Sequence, residues 1–299
     1  MRSIRLAIIQ IEWLANQSAM SEQYHHLFDE AARFNPDLIC LPEFSLLPYF
    51  PGVRDQEGLQ WAEPLVGGRT DQFFSQLAQK YQVSIISSMF EKSSDDHFYD
   101  TALIHAPDGK IAGYTRKIHI PSGEGYHETD FFIGYDQYPV HDLDQVKLAI
   151  PTCYDQWFPE LARIYALNGA EYIHYPTAIG SEPTAPDFDS SSAWQTVMKG
   201  HAVANGLFIS AANRVGKEND VTFYGSSFVC DPTGKVLAQA SRDQVEVIFA
   251  ELDATVRDQY IELFPLLYQR RPETYQKLLT KYDAALPGRW QSHDTFKDD

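Results

Sequence analysis

The stretch 148–178, LAIPTCYDQWFPELARIYALNGAEYIHYPTA, packs a strand, a corner, a helix and a second strand into one unbroken run. The apolar segment 146–152 predicts a buried strand that ends on Cys153. Polar and aromatic residues follow at once. Pro159 then falls near the first turn of a helix predicted over 159–169, with Gly169 at its stop. EYIHYPTA (171–178) predicts a further buried strand that runs directly into a proline.

The rest of the chain echoes this order. IRLAIIQ (4–10) predicts a buried strand and 18–33 a helix; DLICLPEF (37–44) is another strand running into proline. An amphipathic helix is expected over 69–82, capped by Thr70 or Asp71. VSIISSMFE (83–91) reads as a strand, and 101–117 as two strands around a PDG turn. In the second half, 191–205 is helical, 206–214 a strand and 226–239 a hairpin whose DPTGK echoes APDGK at 106–110. Each half thus reads strand, helix, strand, helix, strand, hairpin. Strands alternating with helices imply buried sheets covered by helices. Two such halves without a linker predict one α/β domain, a four-layer αββα sandwich of two stacked mixed sheets with helices outside. The domain is expected over 1–260. A C-terminal extension, 261–299, is helical from about 255 and rich in Tyr, Phe and Leu; it packs on the domain or on a neighbouring subunit.

Composition narrows the function. The 299 residues are 44% hydrophobic and carry a net charge of −17. An acidic chain without a basic stripe argues against a nucleic-acid partner. An acidic surface is usually just a soluble surface; it can also favour a cationic small molecule entering a cleft. No apolar run approaches the roughly 18 residues that span a bilayer, so no membrane partner is expected. The three cysteines, Cys40, Cys153 and Cys230, are too scattered for a disulfide framework or a zinc cluster, which fits a reducing cytoplasm.

In sheets of this kind ligands bind outside the carboxyl ends of the strands. Glu43, Lys117 and Cys153 all fall there. A thiol attacks carbonyl carbon as thiolate; a carboxylate in reach takes its proton; an ammonium and the backbone N–H of Tyr154 stabilise the oxyanion. The helix beginning near Pro159 is expected to favour the thiolate through its dipole. His119 and His127, flanking Glu124 and Glu128, raise a metal site as an alternative, but a pocket loop accounts for them better and no metal is expected. Asp155 is expected to hold the turn after Cys153 through backbone hydrogen bonds, and Trp157 and Phe158 to form pocket wall or core. The absence of a glycine-rich phosphate loop argues against a nucleotide cofactor, and none is expected.

The segments LPEF, YTRKIHIP, CYDQWFPELAR, YPTAIGSEP, GHAVANGLFISAANRVG and TFYGSSF together resemble the carbon–nitrogen hydrolases of the nitrilase superfamily, over about residues 4–275. DQWFPE with YPTAIGSEP, PYF after Glu43 and RRPETY near the end resemble the carbamoylputrescine-hydrolysing branch most. The resemblance implies the αββα sandwich, Glu43 as general base, Lys117 as the cation beside the oxyanion and Cys153 as nucleophile. It places a second glutamate, Glu128 of GYHE, beside Lys117. It also implies a homo-oligomer, a dimer or larger, and hydrolysis of a small cationic ureido compound, N-carbamoylputrescine, to putrescine, carbon dioxide and ammonia. Substrate contacts are expected from Tyr49, Tyr154, Trp157, Glu182 and Asp187, with Glu182, Asp187 or Asp189 on the distal ammonium. The rivals are hydrolysis of N-carbamoyl-β-alanine or a simple amide, for which Arg163 and Arg214 are the candidate anion partners, and an inactive binding or thiol-sensing protein. Two departures stand out. IHIPSGEGYHET (118–129) lacks the family's second proline, and Pro151 and Thr152 precede Cys153 where the family has an apolar strand. A proline there predicts a bulge beside the nucleophile.

Overall fold

The computed structural model describes residues 1–282. The first half runs β1 (Ile4–Glu12), α1 (Gln17–Ala32), β2 (Leu38–Cys40), α2 (Arg69–Tyr81), β3 (Ser84–Lys92), β4 (Phe98–His105) and β5 (Ile111–Arg116). The second runs β6 (His141–Asp142), β7 (Lys147–Ala149), α3 (Pro159–Leu167), β8 (Tyr172–Pro176), α4 (Ser191–Asn205) and β9 (Phe208–Ala212). It continues through β10 (Arg214–Glu218), β11 (Val221–Tyr224), β12 (Phe228–Cys230), β13 (Val236–Gln239), β14 (Glu246–Leu252) and α5 (Ala254–Leu263).

The repeat is visible in the pairing. β1, β2 and β3 are parallel, in register Leu6–Leu38–Ser84, and lead into the antiparallel pair β4–β5. β7, β8 and β9 are parallel, in register Leu148–Tyr172–Phe208, and β12–β13 closes that sheet antiparallel. Side-chain alternation sorts the layers. Ile4, Leu6 and Ile8 of β1 pack with Leu148, Tyr172 and Phe208 between the sheets. Ala7, Ile9 and Ile11 face Tyr24, Phe28 and Phe74 of α1 and α2. Ala149, Ile173 and Ile209 face Leu161, Tyr165 and Trp194 of α3 and α4. Helices therefore cover two sheets packed face to face, the expected αββα sandwich.

Several local expectations are corrected. β7 stops at Ala149, so Pro151 lies beyond the ladder and no bulge forms there. The irregular pairings fall instead at Ile104/His105 and Val229/Cys230. Neither Thr70 nor Asp71 caps α2. The cap position is Gly68, and the Glu63 carboxylate accepts from the backbone N–H groups of Arg69 and Thr70. β10, β11 and β14 join the first-half sheet on the outer side of β1, an addition the repeat did not predict. The expected tail helix breaks after Leu263 into short 3-10 turns, Pro272–Thr274 and Gln276–Leu279. α5 is tied to its own domain by Arg257 Nε donating to Gly206 O (3.0 Å) and Tyr260 Oη donating to Val203 O (2.8 Å). Residues 283–299 of the expected extension lie outside the described residues. Among the described residues no helix is long and apolar enough to cross a membrane.

Candidate active site

Three chain segments leave the sheets at one edge and converge. After β2 the chain passes through Leu41 and Pro42 to Glu43. The Glu43 backbone N–H donates to Thr177 O (3.4 Å) at the matching exit of β8, and its carbonyl accepts from Arg214 Nη1 (3.4 Å). This ties the two halves together where both strands run into proline. Lys117 follows β5, and its backbone N–H donates to Asp100 O (2.9 Å) on β4. Cys153 follows β7 with φ of 39°, in the left-handed region, and opens a 3-10 turn, Cys153–Trp157. Such backbone is costly for a residue with a Cβ and persists where surroundings enforce it.

Asp155 does the enforcing. Its carboxylate accepts from the backbone N–H of Thr152 (3.3 Å), holding the Cys153 turn as expected. It also accepts from the backbone N–H groups of Ile118 (3.2 Å) and His119 (2.8 Å), directly after Lys117. One buried carboxylate thus fixes the Cys153 corner against the strand end that carries Lys117. The His119 ring pairs with the same carboxylate and stacks on Phe158 with centroids 3.6 Å apart. His127 Nδ1 accepts from Arg54 Nε (3.1 Å). Neither histidine joins a ligand cluster.

Lys117 Nζ donates to Glu43 Oε1 (2.7 Å) and Glu128 Oε2 (2.5 Å) and lies 3.2 Å from Asp100 Oδ2. All four side chains are buried. Among the described residues, Glu43, Asp100 and Glu128 form the one group spaced to hold a metal ion. The Lys117 ammonium is the cation at their centre. Burial works against that charge, but Glu128, Glu43 and Asp100 outweigh it and hold the ammonium well above its usual range. Burial raises the Glu43 carboxyl well above the ordinary carboxylate range; Lys117 opposes the rise, and Asp100 and Glu128 add to it. Burial and the Glu43 charge push the Cys153 thiol well up, against Lys117. The net shift runs against the thiolate that the expected helix dipole would favour. α3 begins six residues beyond Cys153, after the intervening turn, and burial favours the thiol over the thiolate. A base must take its proton.

Cys153 and Glu128 line a cavity of about 1090 Å³, with Tyr154, Trp157 and Glu182 in its walls. The other expected contacts lie elsewhere. Tyr49 is buried behind Glu128, and its hydroxyl donates to Glu128 Oε1 (2.9 Å). Asp187 is exposed and outside the lining, to which its loop contributes Thr184, Ala185 and Phe188. Asp189 pairs with Arg242 at 2.9 Å. Arg214 is buried under Glu43, donating to Leu47 O (3.1 Å) and pairing with Glu218 (2.7 Å). Neither it nor Arg163 lines the cavity. The altered 118–129 loop closes on itself through Gly123 and Tyr126, with Gly125 at φ 80°. The Tyr126 hydroxyl donates to Ser181 O (3.0 Å) and accepts from Gly180 N–H (3.2 Å), fastening this loop to the one carrying Glu182.

Two further residues of the site carry little signal in the sequence. Asp100 is buried within the strand FYDTALIH, and an acidic residue inside such a strand is the available signal. Asn213 donates to Ile179 O (3.0 Å) and accepts from Ile179 N–H (3.0 Å), setting the cavity wall beside Cys153; it carries no signal beyond its place at a strand end.

The carbon–nitrogen hydrolase family model matches residues 5–261. The chain is 37% identical to a citrullinase from Francisella tularensis, over 94% of this chain and 100% of that protein. It is 35% identical to an N-carbamoylputrescine amidase from Solanum tuberosum, over 93% of this chain and 96% of the relative. The crystal structure of a carbon–nitrogen hydrolase from Helicobacter pylori matches with a TM-score of 0.88 and 34% identity, covering 94% of this chain and 100% of that one. The chain belongs to the carbon–nitrogen hydrolase family, within the nitrilase superfamily, and is a hydrolase of carbon–nitrogen bonds.

Proposed function

We propose that this enzyme hydrolyses the ureido group of a small ω-ureidoalkyl amine, with N-carbamoylputrescine as the first candidate. The observation that carries the reading is the placement of Cys153 and Glu128 on a cavity whose walls include the carboxylates Glu124 and Glu182. Glu43 takes the proton from Cys153, and the sulfur attacks the ureido carbon. Lys117 and the Tyr154 N–H hold the oxygen as it becomes negative. Each such donor contributes roughly 3–4 kcal/mol to the transition state. One carbon–nitrogen bond breaks as its nitrogen takes the proton from Glu43, leaving an acyl thioester on Cys153. Water, deprotonated by Glu43, releases the remainder. Glu128 holds Lys117 in place, and Tyr49 holds Glu128. Tyr154 and Trp157 flank the alkyl tether, and Glu182 takes the distal ammonium.

A second reading has its own support. Arg54 is the one cationic side chain among the described residues lining the cavity, and citrulline adds an α-carboxylate to the same ureidoalkyl amine. The citrullinase at 37% identity favours it. Against it, Arg54 is already engaged by His127 and Asp130. Ammonia release from N-carbamoylputrescine, citrulline, N-carbamoyl-β-alanine and simple amides decides between them, with Cys153→Ala as the control. The first reading predicts the highest kcat/KM for N-carbamoylputrescine. A preference for citrulline overturns it in favour of the second, and a preference for the anionic or neutral compounds overturns both.

A further inference from the structure

The cluster around Lys117 holds one carboxylate more than this mechanism uses. Asp100 is buried on β4, and its Oδ1 accepts from Ser88 Oγ (3.3 Å). Its Oδ2 lies 3.2 Å from Lys117 Nζ but makes no hydrogen bond there. Glu43 Oε2 is likewise buried without a donor. A carboxylate oxygen of Glu43 and one of Asp100 lie within 4.8 Å of each other. Bare acceptors in a dry interior lack the donors they would find in water, and neighbouring carboxylates repel each other.

The charges point the same way. Three carboxylates, Glu43, Asp100 and Glu128, surround one ammonium. The remaining groups facing them do not redress the balance. The Cys153 thiol and the Tyr49 hydroxyl are held neutral by burial, and the Arg214 guanidinium is spent on Glu218 and on main-chain carbonyls. An ammonium has three N–H donors. Two of those on Lys117 go to Glu43 Oε1 and Glu128 Oε2.

We propose that Asp100 is a positioning residue for the base: one proton is held between Asp100 Oδ2 and Glu43 Oε2. That proton satisfies both bare oxygens. It fixes the plane of the Glu43 carboxyl, and it leaves the third N–H of Lys117 for the substrate oxygen. The proton balance closes. The Glu43–Asp100 pair starts with one proton, gains a second from Cys153 as the S–C bond forms, and passes that second proton to the leaving nitrogen. The shared proton never leaves.

The inference rests on Glu43 acting as the base, so one arm of its test needs no turnover. In Asp100→Asn an amide N–H replaces the shared proton; in Asp100→Ala nothing does. Asp100→Ala is expected to lower kcat by roughly 10–100-fold with little change in KM, and Asp100→Asn to restore kcat to within about threefold of the parent, because its amide replaces one hydrogen bond by another. An Asn variant as impaired as the Ala variant overturns the proposal. Infrared difference spectra of the folded parent and Asp100→Asn at neutral pH, without substrate, should show a protonated-carboxyl C=O band in the parent alone. Its absence overturns the proposal even if either variant folds poorly. A wrong assignment of the base would look different: Glu43→Gln would stay active.

Discussion

The two halves of this molecule share a plan and divide the chemistry. At the carboxyl edge of the first sheet, β2 and β5 deliver Glu43 and Lys117, both wholly buried and locked to each other. At the same edge of the second sheet, β7 delivers Cys153 onto a cavity, and the loop after β8 delivers Glu182. Both central strands run into proline, Pro42 and Pro176, and the two exits are joined by the Glu43–Thr177 hydrogen bond. The first half therefore supplies a fixed, dry charge cluster. The second supplies the Cys153 thiol, the proposed nucleophile, and most of the cavity wall around it. Neither half alone carries both, so sheet-on-sheet packing is what assembles the site.

Breaking the first half's cluster should cost most. Lys117→Met strands three buried carboxylates without their cation. Removing one partner of a buried ion pair typically costs about 3–5 kcal/mol. A loss of that size in urea unfolding, together with loss of turnover, is expected; an unchanged midpoint would mean the cluster contributes nothing to folding.

The seam between the halves has its own titration. His174 of β8 is wholly buried, pairing with Ser210 Oγ (2.7 Å) and with Leu41 O (3.3 Å) across the sheets. Burial lowers its pKa from 6.5 to about 3. The folded state thus binds fewer protons than the unfolded state between these values, and stability falls as pH drops below 6.5. That loss should reach roughly 2–3 kcal/mol by about pH 4.5. His174→Asn should shrink this acid-dependent loss, measured as the difference in unfolding free energy between the two pH values. An equal loss in the variant would place the acid sensitivity elsewhere.

Much of this division was legible in the chain. Parallel strands buried on both faces read as continuous apolar runs, so IRLAIIQ, DLICLPEF and EYIHYPTA announced themselves and set Glu43 and Cys153 at strand ends. What stayed hidden depends on contacts remote in sequence. β14 pairs with β1 across more than 230 residues, Gln10 with Glu246, and nothing local marks it as its neighbour. Glu63 caps α2 only because the fold brings its carboxylate to the helix start. Asp100 reaches Lys117 through the β4–β5 hairpin register, and Asp187 falls outside the cavity lining because a loop's course is not written in its acidity.

A smaller effect should come from the tie between the Cys153 corner and the segment after Lys117. Asp155→Ala leaves the N–H groups of Thr152, Ile118 and His119 without their acceptor. The Thr152 N–H is buried, and one orphaned buried group costs about 1–3 kcal/mol; the half-buried Ile118 and His119 groups turn to water. A drop in that range in unfolding free energy is expected, with kcat falling more than KM rises. Full retention of both would show that the left-handed Cys153 backbone is held by something else.

Glu182→Gln should matter least, and only on the second half's side. Removing one partly exposed charge from the cavity wall should raise KM for N-carbamoylputrescine by roughly 5–10-fold, about 1 kcal/mol, with kcat nearly unchanged. An unchanged KM would remove Glu182 from ammonium binding and leave the catalytic cluster untouched.

The account turns on a first-half carboxylate serving a second-half thiol. Turnover of Glu43→Gln, assayed by ammonia release and set beside its thermal unfolding, tests this most directly. Gln keeps an oxygen for Lys117 but cannot take a proton, so kcat/KM should fall by about 10²–10⁴-fold while the folded state survives. A folded Glu43→Gln enzyme that turns over at nearly the parent rate would contradict the account.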